Sequence, residues 1–277
     1  MKKETRLRGR PKAFLPKKDQ TRIQSLDRAV DVMECVASGG GITLSEIASE
    51  LDQSPATVYR ILSTFSTRDV LSMDAASQEW FVGPASFRIG SAFLRRSNVV
   101  ERARPVMRRL MVKSGETANL GVENGRQVLF LSQVETQQNI RAFFPPGAQS
   151  PMHASGIGKA LLAFTDASQI DSYIENTKLE AFTANTIATE EALRAELKLI
   201  KSTGFAFDNE EKNTGMRCVA APIFNAFGEV VAGISISGPS ERLSLERIGA
   251  VGALVLEQAN LLSAGSGYDP EEQRDQT

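Results

Sequence analysis

At 277 residues, with 42% hydrophobic and 23% charged residues, the chain has the composition of a globular protein of about two domains. The net charge is only −1, no apolar run approaches the ~20 residues of a membrane span, and the start MKKETRLRGRPK lacks the apolar core of a secretory signal, so the cytoplasm is the expected compartment. One histidine, His153, and two widely spaced cysteines, Cys35 and Cys218, exclude a histidine-rich metal site and a disulfide framework; neither a metal nor a cofactor is expected.

The charge is unevenly placed. The first 28 residues carry ten Lys/Arg against three Asp/Glu, a local excess of +7 that leaves −8 for the other 249. Such a basic arm suits an anionic partner. Its core RGRP, residues 8–11, resembles an AT-hook, a peptide that lies in the minor groove of A·T-rich DNA. Pro11 presets φ and Gly9 has no side chain, so Arg8 and Arg10 can follow a narrow, strongly negative groove.

Next, SLDRAVDVMECVAS predicts a helix with Leu26, Ala29, Val30, Met33 and Val36 on its buried face, Ser25 as N-cap and the glycines 39–41 as its end. In TLSEIASELD, Thr43 and Glu46 have capping-box spacing, and Leu44, Ile47, Ala48 and Leu51 repeat at helical intervals. A third helix follows in SPATVYRILSTF, with Ser54 as cap, Pro55 in its first turn and Val58, Ile61, Leu62 and Phe65 inward. VLSM and EWFVG then read as a two-stranded ribbon, completing a winged helix-turn-helix. The outward face of the third helix carries Ala56, Thr57, Tyr59, Arg60, Ser63 and Thr64. Small and hydrogen-bonding groups around one arginine suit a helix entering a major groove, whereas a merely solvated face would carry Glu and several Lys. Ser54, Ala56, Thr57, Tyr59 and Arg60, with Arg8 and Arg10, are the expected DNA contacts.

Beyond Pro84 two helical stretches lead into an α+β pattern. TANLGVE, QVLFLSQVE and IRAFF read as strands, PPGAQSPMHAS as a loop, and GIGKALLAF, SQIDSYIEN and TEEALRAELKLIKSTG as helices. FAFDN, CVAAPIFN and VVAGISISG return to strand with a turn at NAFG, and a long helix is expected over about 243–263.

IQSLDRAVDVMECV, LSEIASELDQSPATVYRIL, HASGIGKALLAF, GFAFDNEEKNTGMRCVAAPIFN and GISISGPSERL, in this order, resemble the isocitrate lyase regulator (IclR) family of bacterial transcription factors. The resemblance covers residues 22 to about 265 and implies an α+β chain with a winged helix-turn-helix at 22–83, a linker helix at 84–100 and a GAF-like effector domain at 101–265; the basic arm at 1–21 and the acidic tail at 266–277 lie outside the family core. It also implies a homodimer or homotetramer on a palindromic operator, in a family whose members repress or activate. In glyoxylate- and pyruvate-responsive members the effector, a small carboxylate, meets positions that correspond here to Gly156, Ile157, Asp208, Cys218, Ser235 and Ser237. Met216 and Val230 correspond to apolar walls. Target genes of C2-acid and glyoxylate metabolism are implied, with an aromatic-acid sensor of the same family as the alternative.

The residues fit such a ligand. Ser235 and Ser237, two apart on a strand, face one side, and SGIGK opens a helix whose free amides suit a carboxylate. Asp208 would repel an anion unless it is protonated or accepts from a hydrated aldehyde. Cys218 and His153 could make a thiolate–imidazole pair, but a buried cysteine is commonly a small hydrophobe and His153 is expected to brace its loop. The chain is read as no enzyme. An architectural protein acting through the hook alone would leave the sensor-like domain without a purpose.

Overall fold

The computed structural model describes residues 23–96 and 99–269, which fall into two units dividing at Arg95/Arg96. The RGRP arm with Arg8 and Arg10 and most of the acidic tail lie outside the described residues. No helix among the described residues is long and apolar enough to cross a membrane.

In the first unit, α1 (Gln24–Gly39), α2 (Leu44–Glu50) and α3 (Pro55–Ser66) surround a core that includes Val32, Val36, Ile47, Val58, Leu62 and Trp80. Gly40, at φ +63, ends α1 in the left-handed region. Thr43 and Glu46 close the expected capping box, with Thr43 N donating to Glu46 Oε2 at 2.9 Å. Strands β2 (Leu71–Met73) and β3 (Glu79–Val82) form the wing. The expected two-stranded ribbon is in fact a three-stranded sheet, because β1 (Ile42–Thr43) pairs with β3 through Ile42–Trp80 and Thr43–Glu79.

Helix α1 departs from expectation in two ways. It begins at Gln24, ahead of Ser25, and its N-cap is Ile23, whose carbonyl accepts from Leu26 N at 2.8 Å. Its buried residues are Val32, Cys35 and Val36, while Leu26 and Val30 are 59% and 50% exposed. Val36 is buried and Ala29 and Met33 half-buried as expected, but Val32 and Cys35 take the inward places expected of Leu26 and Val30. The first turns of α1 run beyond the small core. Helix α4 (Pro84–Arg96) follows the wing.

The second unit is built on a six-stranded antiparallel sheet in the order β6-β5-β4-β9-β8-β7. Its strands are β4 (Thr117–Asn124), β5 (Gln127–Val134), β6 (Gln149–Pro151), β7 (Ala206–Asn209), β8 (Met216–Phe224) and β9 (Val230–Pro239). Residues 232–239 are buried without a break, so β9 is covered on both faces. Helices α5 (Val99–Ser114) and α9 (Ile248–Ala264) pack on each other and on the sheet. Helix α6 (Gly156–Ala163) crosses β8 and β9, and a Cβ on Gly233 would come within 2.7 Å of Ile157 Cγ2. Helices α7 (Ala167–Asn176) and α8 (Glu190–Thr203) complete the core around α6.

Two strand boundaries differ from expectation for one reason. IRAFF, residues 140–144, is not a strand, whereas 149–151, read as loop, is. The outer edge of β5 is taken by 147–151, through Gly147 N to Phe130 O and the Val128–Ser150 pair, which leaves 140–144 no ladder partner. Phe144 instead stacks on Phe130 with ring centroids 4.8 Å apart. The last helix also begins later than expected. Arg242 and Leu243 turn back to donate to the Pro239 carbonyl, a 3-10 turn spans Leu245–Arg247, and α9 starts at Ile248.

Candidate effector pocket and nucleic-acid interface

Ser54 caps α3 by accepting from Thr57 N at 3.2 Å, and its Oγ also lies 2.9 Å from Thr57 Oγ1. Pro55 at the first helical position needs no amide partner. With Val58 and Leu62 turned inward, Ala56, Tyr59, Arg60 and Thr64 face solvent, and Thr57 is half-buried. Tyr59 is 60% exposed, and among the described residues Arg60 makes no ion pair. The helix presents a guanidinium and a phenol above small side chains that allow close approach to a groove floor.

In the second unit, strand register assembles the polar groups. Asp208 on β7 lies opposite Cys218 on β8, and Cys218 lies opposite Ser237 on β9. Directly opposed residues share a face of the sheet, so the three form a row across three strands. Ser235, two residues earlier on β9, joins them from the position opposite Asn119 of β4. Above the row stands the N-terminus of α6, capped by Ser155, which accepts from Gly158 N. The amides of Gly156 and Ile157 have no acceptor within their helix. A Cβ on Gly156 would lie 2.8 Å from Cys218 Sγ, so the close approach requires glycine.

These groups enclose a cavity of about 30 Å³, with Phe130, Phe144, Ser150 and Lys212 also in its walls. Seven of the eight effector positions named from sequence, Gly156, Ile157, Asp208, Met216, Cys218, Ser235 and Ser237, line it. Val230 does not. It begins β9 opposite Phe224, about 23 Å along the strand from Ser237, and packs against the α6 core.

Burial pushes the Asp208 carboxyl up to about 6, against the lowering effect of the Glu211 amide, which donates to Oδ1 at 2.9 Å, and of Lys159 and Lys212. Burial likewise pushes the Cys218 thiol up to about 12, with the Asp208 charge adding to it. The thiol is therefore neutral and no nucleophile. His153 is committed elsewhere: Nε2 lies 3.0 Å from the Glu180 carbonyl, which can only accept, so Nδ1 accepts from Tyr173 Oη at 3.3 Å. Burial lowers its pKa, and it braces the turn leading into α6 as a neutral ring.

Three contributors escaped the sequence reading. Asn119 Nδ2 donates to Ser237 Oγ at 3.2 Å and approaches Ser235 Oγ at 3.5 Å, while its Oδ1 accepts from Gln133 Nε2 at 3.0 Å. Because Asn119 donates to both serines, their hydroxyl hydrogens point onward, within hydrogen-bond reach of the Cys218 sulfur and of whatever enters the cavity. Lys159, fully buried on α6, donates to Glu196 Oε1 at 2.9 Å, Phe207 O at 2.6 Å and Glu211 Oε1 at 2.5 Å. Burial alone would drive this ammonium down, but Glu211 and Glu196 outweigh it and hold the pKa up. Lys212, the third, reaches Ser150 Oγ at 3.1 Å.

Known proteins agree with this architecture. Residues 25–75 match the IclR helix-turn-helix domain, and residues 91–264 match the bacterial transcriptional regulator IclR C-terminal domain. The HTH-type transcriptional regulator BhcR of Paracoccus denitrificans is 51% identical over 96% of either chain. The HTH-type transcriptional repressor AllR of Escherichia coli K12 is 36% identical over 95% of this chain and 97% of its own. The solved IclR of Thermotoga maritima superposes with a TM-score of 0.76 at 28% identity, covering 89% of this chain and all of the other. An IclR homologue from Microbacterium hydrocarbonoxydans, complexed with 4-hydroxybenzoate, shares the fold at 22% identity, with a TM-score of 0.75 over 87% of this chain and 98% of its own.

Proposed function

The chain belongs to the IclR family of ligand-responsive, DNA-binding transcriptional regulators, and we propose that it senses a two- or three-carbon 2-oxo acid, glyoxylate before pyruvate. One observation carries this reading: two serine hydroxyls, a thiol, a carboxyl and two free helix amides converge on about 30 Å³. That is room for roughly two water-sized groups before side chains yield, whereas sites for drug-sized ligands run to ~300–1,000 Å³. An aromatic acid would need the Phe130–Phe144 wall to open. The target genes proposed are those of C2-acid and glyoxylate metabolism, with DNA bound as a homodimer or homotetramer on a palindromic operator. The AllR relatives, named as repressors, support repression as the mode of action, and glyoxylate is proposed as the ligand that relieves it. Band-shift titration of the chain's own upstream DNA tests this. Glyoxylate is expected to weaken the complex at concentrations where acetate does not, and indifference to both would overturn it.

DNA contact is assigned to the outward face of α3, with Arg8 and Arg10 of the arm in the adjoining minor groove. Arg60→Ala is expected to weaken operator binding by about 1–3 kcal/mol with folding intact, as for loss of a guanidinium that reads a base. Equal losses on every DNA sequence would make Arg60 a phosphate contact instead.

Asp208 links effector binding to pH. Its folded pKa, about 6, lies above the ordinary 3.8, so the free protein is most stable with Asp208 protonated and loses that contribution as pH rises through about 6. A bound anion favours the proton further. Glyoxylate binding above pH 6 therefore takes up a proton, and affinity falls by up to about tenfold per pH unit until the pKa of the complex is reached. Calorimetry in buffers of different ionisation heat should show this uptake, and Asp208→Asn should abolish it. An unchanged uptake in Asp208→Asn would assign the proton to another group, such as Glu211, which burial raises to about 7.

A further inference from the structure

The segment Asp208-Asn209-Glu210-Glu211-Lys212 is folded so that its charged residues part company. Glu211 turns back onto buried Lys159, and Glu210 Oε2 accepts from Gly215 N at 2.6 Å. Asp208 and Lys212 face the cavity. The turn is held from behind, with Thr183 Oγ1 donating to the Glu210 carbonyl at 2.7 Å and Thr186 Oγ1 bonding the Glu211 carbonyl. Lys212 is thus presented by a braced backbone.

Two cations line the cavity, and they differ in how far they are already engaged. Arg217 is committed to Asn209 Oδ1 at 2.9 Å and to the carbonyls of Ser240 and Leu243 at 3.2 and 2.9 Å, with Glu210 3.6 Å away. The ammonium of Lys212 has three donors, and among the described residues its one hydrogen bond is to Ser150 Oγ. It is half-buried, and the opposing charge that acts on it is Asp208. Two donors therefore remain for whatever anion enters. The serines, the thiol and the α6 amides are all neutral groups and supply hydrogen bonds without a balancing charge.

We propose that Lys212 is the specificity-determining cation of this pocket: it neutralises the effector carboxylate and so makes the site selective for an acid over its uncharged analogues. The assignment rests on the 2-oxo acid reading above and adds to it the group that reads the charge. Arg would serve in the same place, because the requirement is a cation with unspent donors. Ser150, on β6, holds the ammonium at the cavity wall until the carboxylate arrives.

The test is calorimetric titration of the full-length protein with glyoxylate and with its neutral amide, glyoxylamide, for the wild type, Lys212→Gln, Lys212→Arg and Ser235→Ala/Ser237→Ala. The wild type is expected to prefer glyoxylate by at least tenfold. Lys212→Gln should lose at least tenfold for glyoxylate and little for glyoxylamide, while Lys212→Arg keeps the preference. Unchanged glyoxylate affinity in Lys212→Gln, with binding still lost in the double serine variant, would overturn the role of Lys212 and leave the 2-oxo acid reading standing. Equal losses for both compounds in Lys212→Gln would make Lys212 a brace, which also overturns it. Wild-type protein that binds neither compound would overturn the 2-oxo acid reading and this assignment with it.

Discussion

Replacing Lys159 by Met is expected to destabilise the effector domain by about 3–5 kcal/mol, the usual consequence of removing one member of a buried ion cluster. Methionine matches the length of the stem but offers none of the three donors now given to Glu196, Phe207 and Glu211. Glu211 is the residue that suffers, because one of its oxygens, Oε2, is already buried without a partner. Burial has raised its carboxyl to about 7 even with Lys159 beside it, so losing the ammonium raises it further. The sign of the pH dependence follows. A carboxyl whose folded pKa is raised contributes stability at low pH and loses it as pH rises through that value. Lys159→Met should therefore be closer to wild type at pH 5 than at pH 8 in urea denaturation, and adding Glu211→Gln should recover part of the loss at pH 8. A penalty below about 1 kcal/mol, or one independent of pH, would mean that the cluster is not the anchor of α6.

Ser235→Ala with Ser237→Ala is expected to weaken effector binding by about 3 kcal/mol or more, since each hydrogen bond to a charged ligand contributes about 1.5–3 kcal/mol. That is on the order of a hundredfold in affinity. Both hydroxyls take their orientation from Asn119, so the two single losses should not simply add. The double variant also leaves the Asn119 amide with fewer acceptors in a buried site, at a cost of about 1–3 kcal/mol in stability. Ligand-free DNA binding should remain near wild type once folding is verified. Glyoxylate affinity equal to wild type in a folded double variant would remove the serines from the site.

What was legible in the sequence divides along a physical line. Local signals carried well: the Thr43–Glu46 capping box, the Ser54-Pro55 start of α3 and the glycine that ends α1 all depend on neighbours a few residues away. The candidate effector residues were named through family resemblance, and strand register brings Asp208, Cys218 and Ser237 into one row. Val230 lies outside the cavity wall, at the far end of β9 from Ser237, a separation that a resemblance of position does not convey. IRAFF has the composition of a strand, but the composition cannot reveal that 147–151 already occupies the free edge of β5. Lys159 left only the trace of one charge in the apolar run GIGKALLAF, and its carboxylate partners stand 37 and 52 residues further on. Lys212 and Asn119 are ordinary polar residues in the sequence. Only the tertiary fold turns them toward the cavity or its serines.

Calorimetric titration of the full-length wild-type protein with glyoxylate, pyruvate and 4-hydroxybenzoate measures most directly whether the pocket is built for a two- or three-carbon acid. Saturable binding of glyoxylate, weaker binding of pyruvate and no binding of 4-hydroxybenzoate is the expected result. Saturable binding of 4-hydroxybenzoate with none of glyoxylate would contradict it.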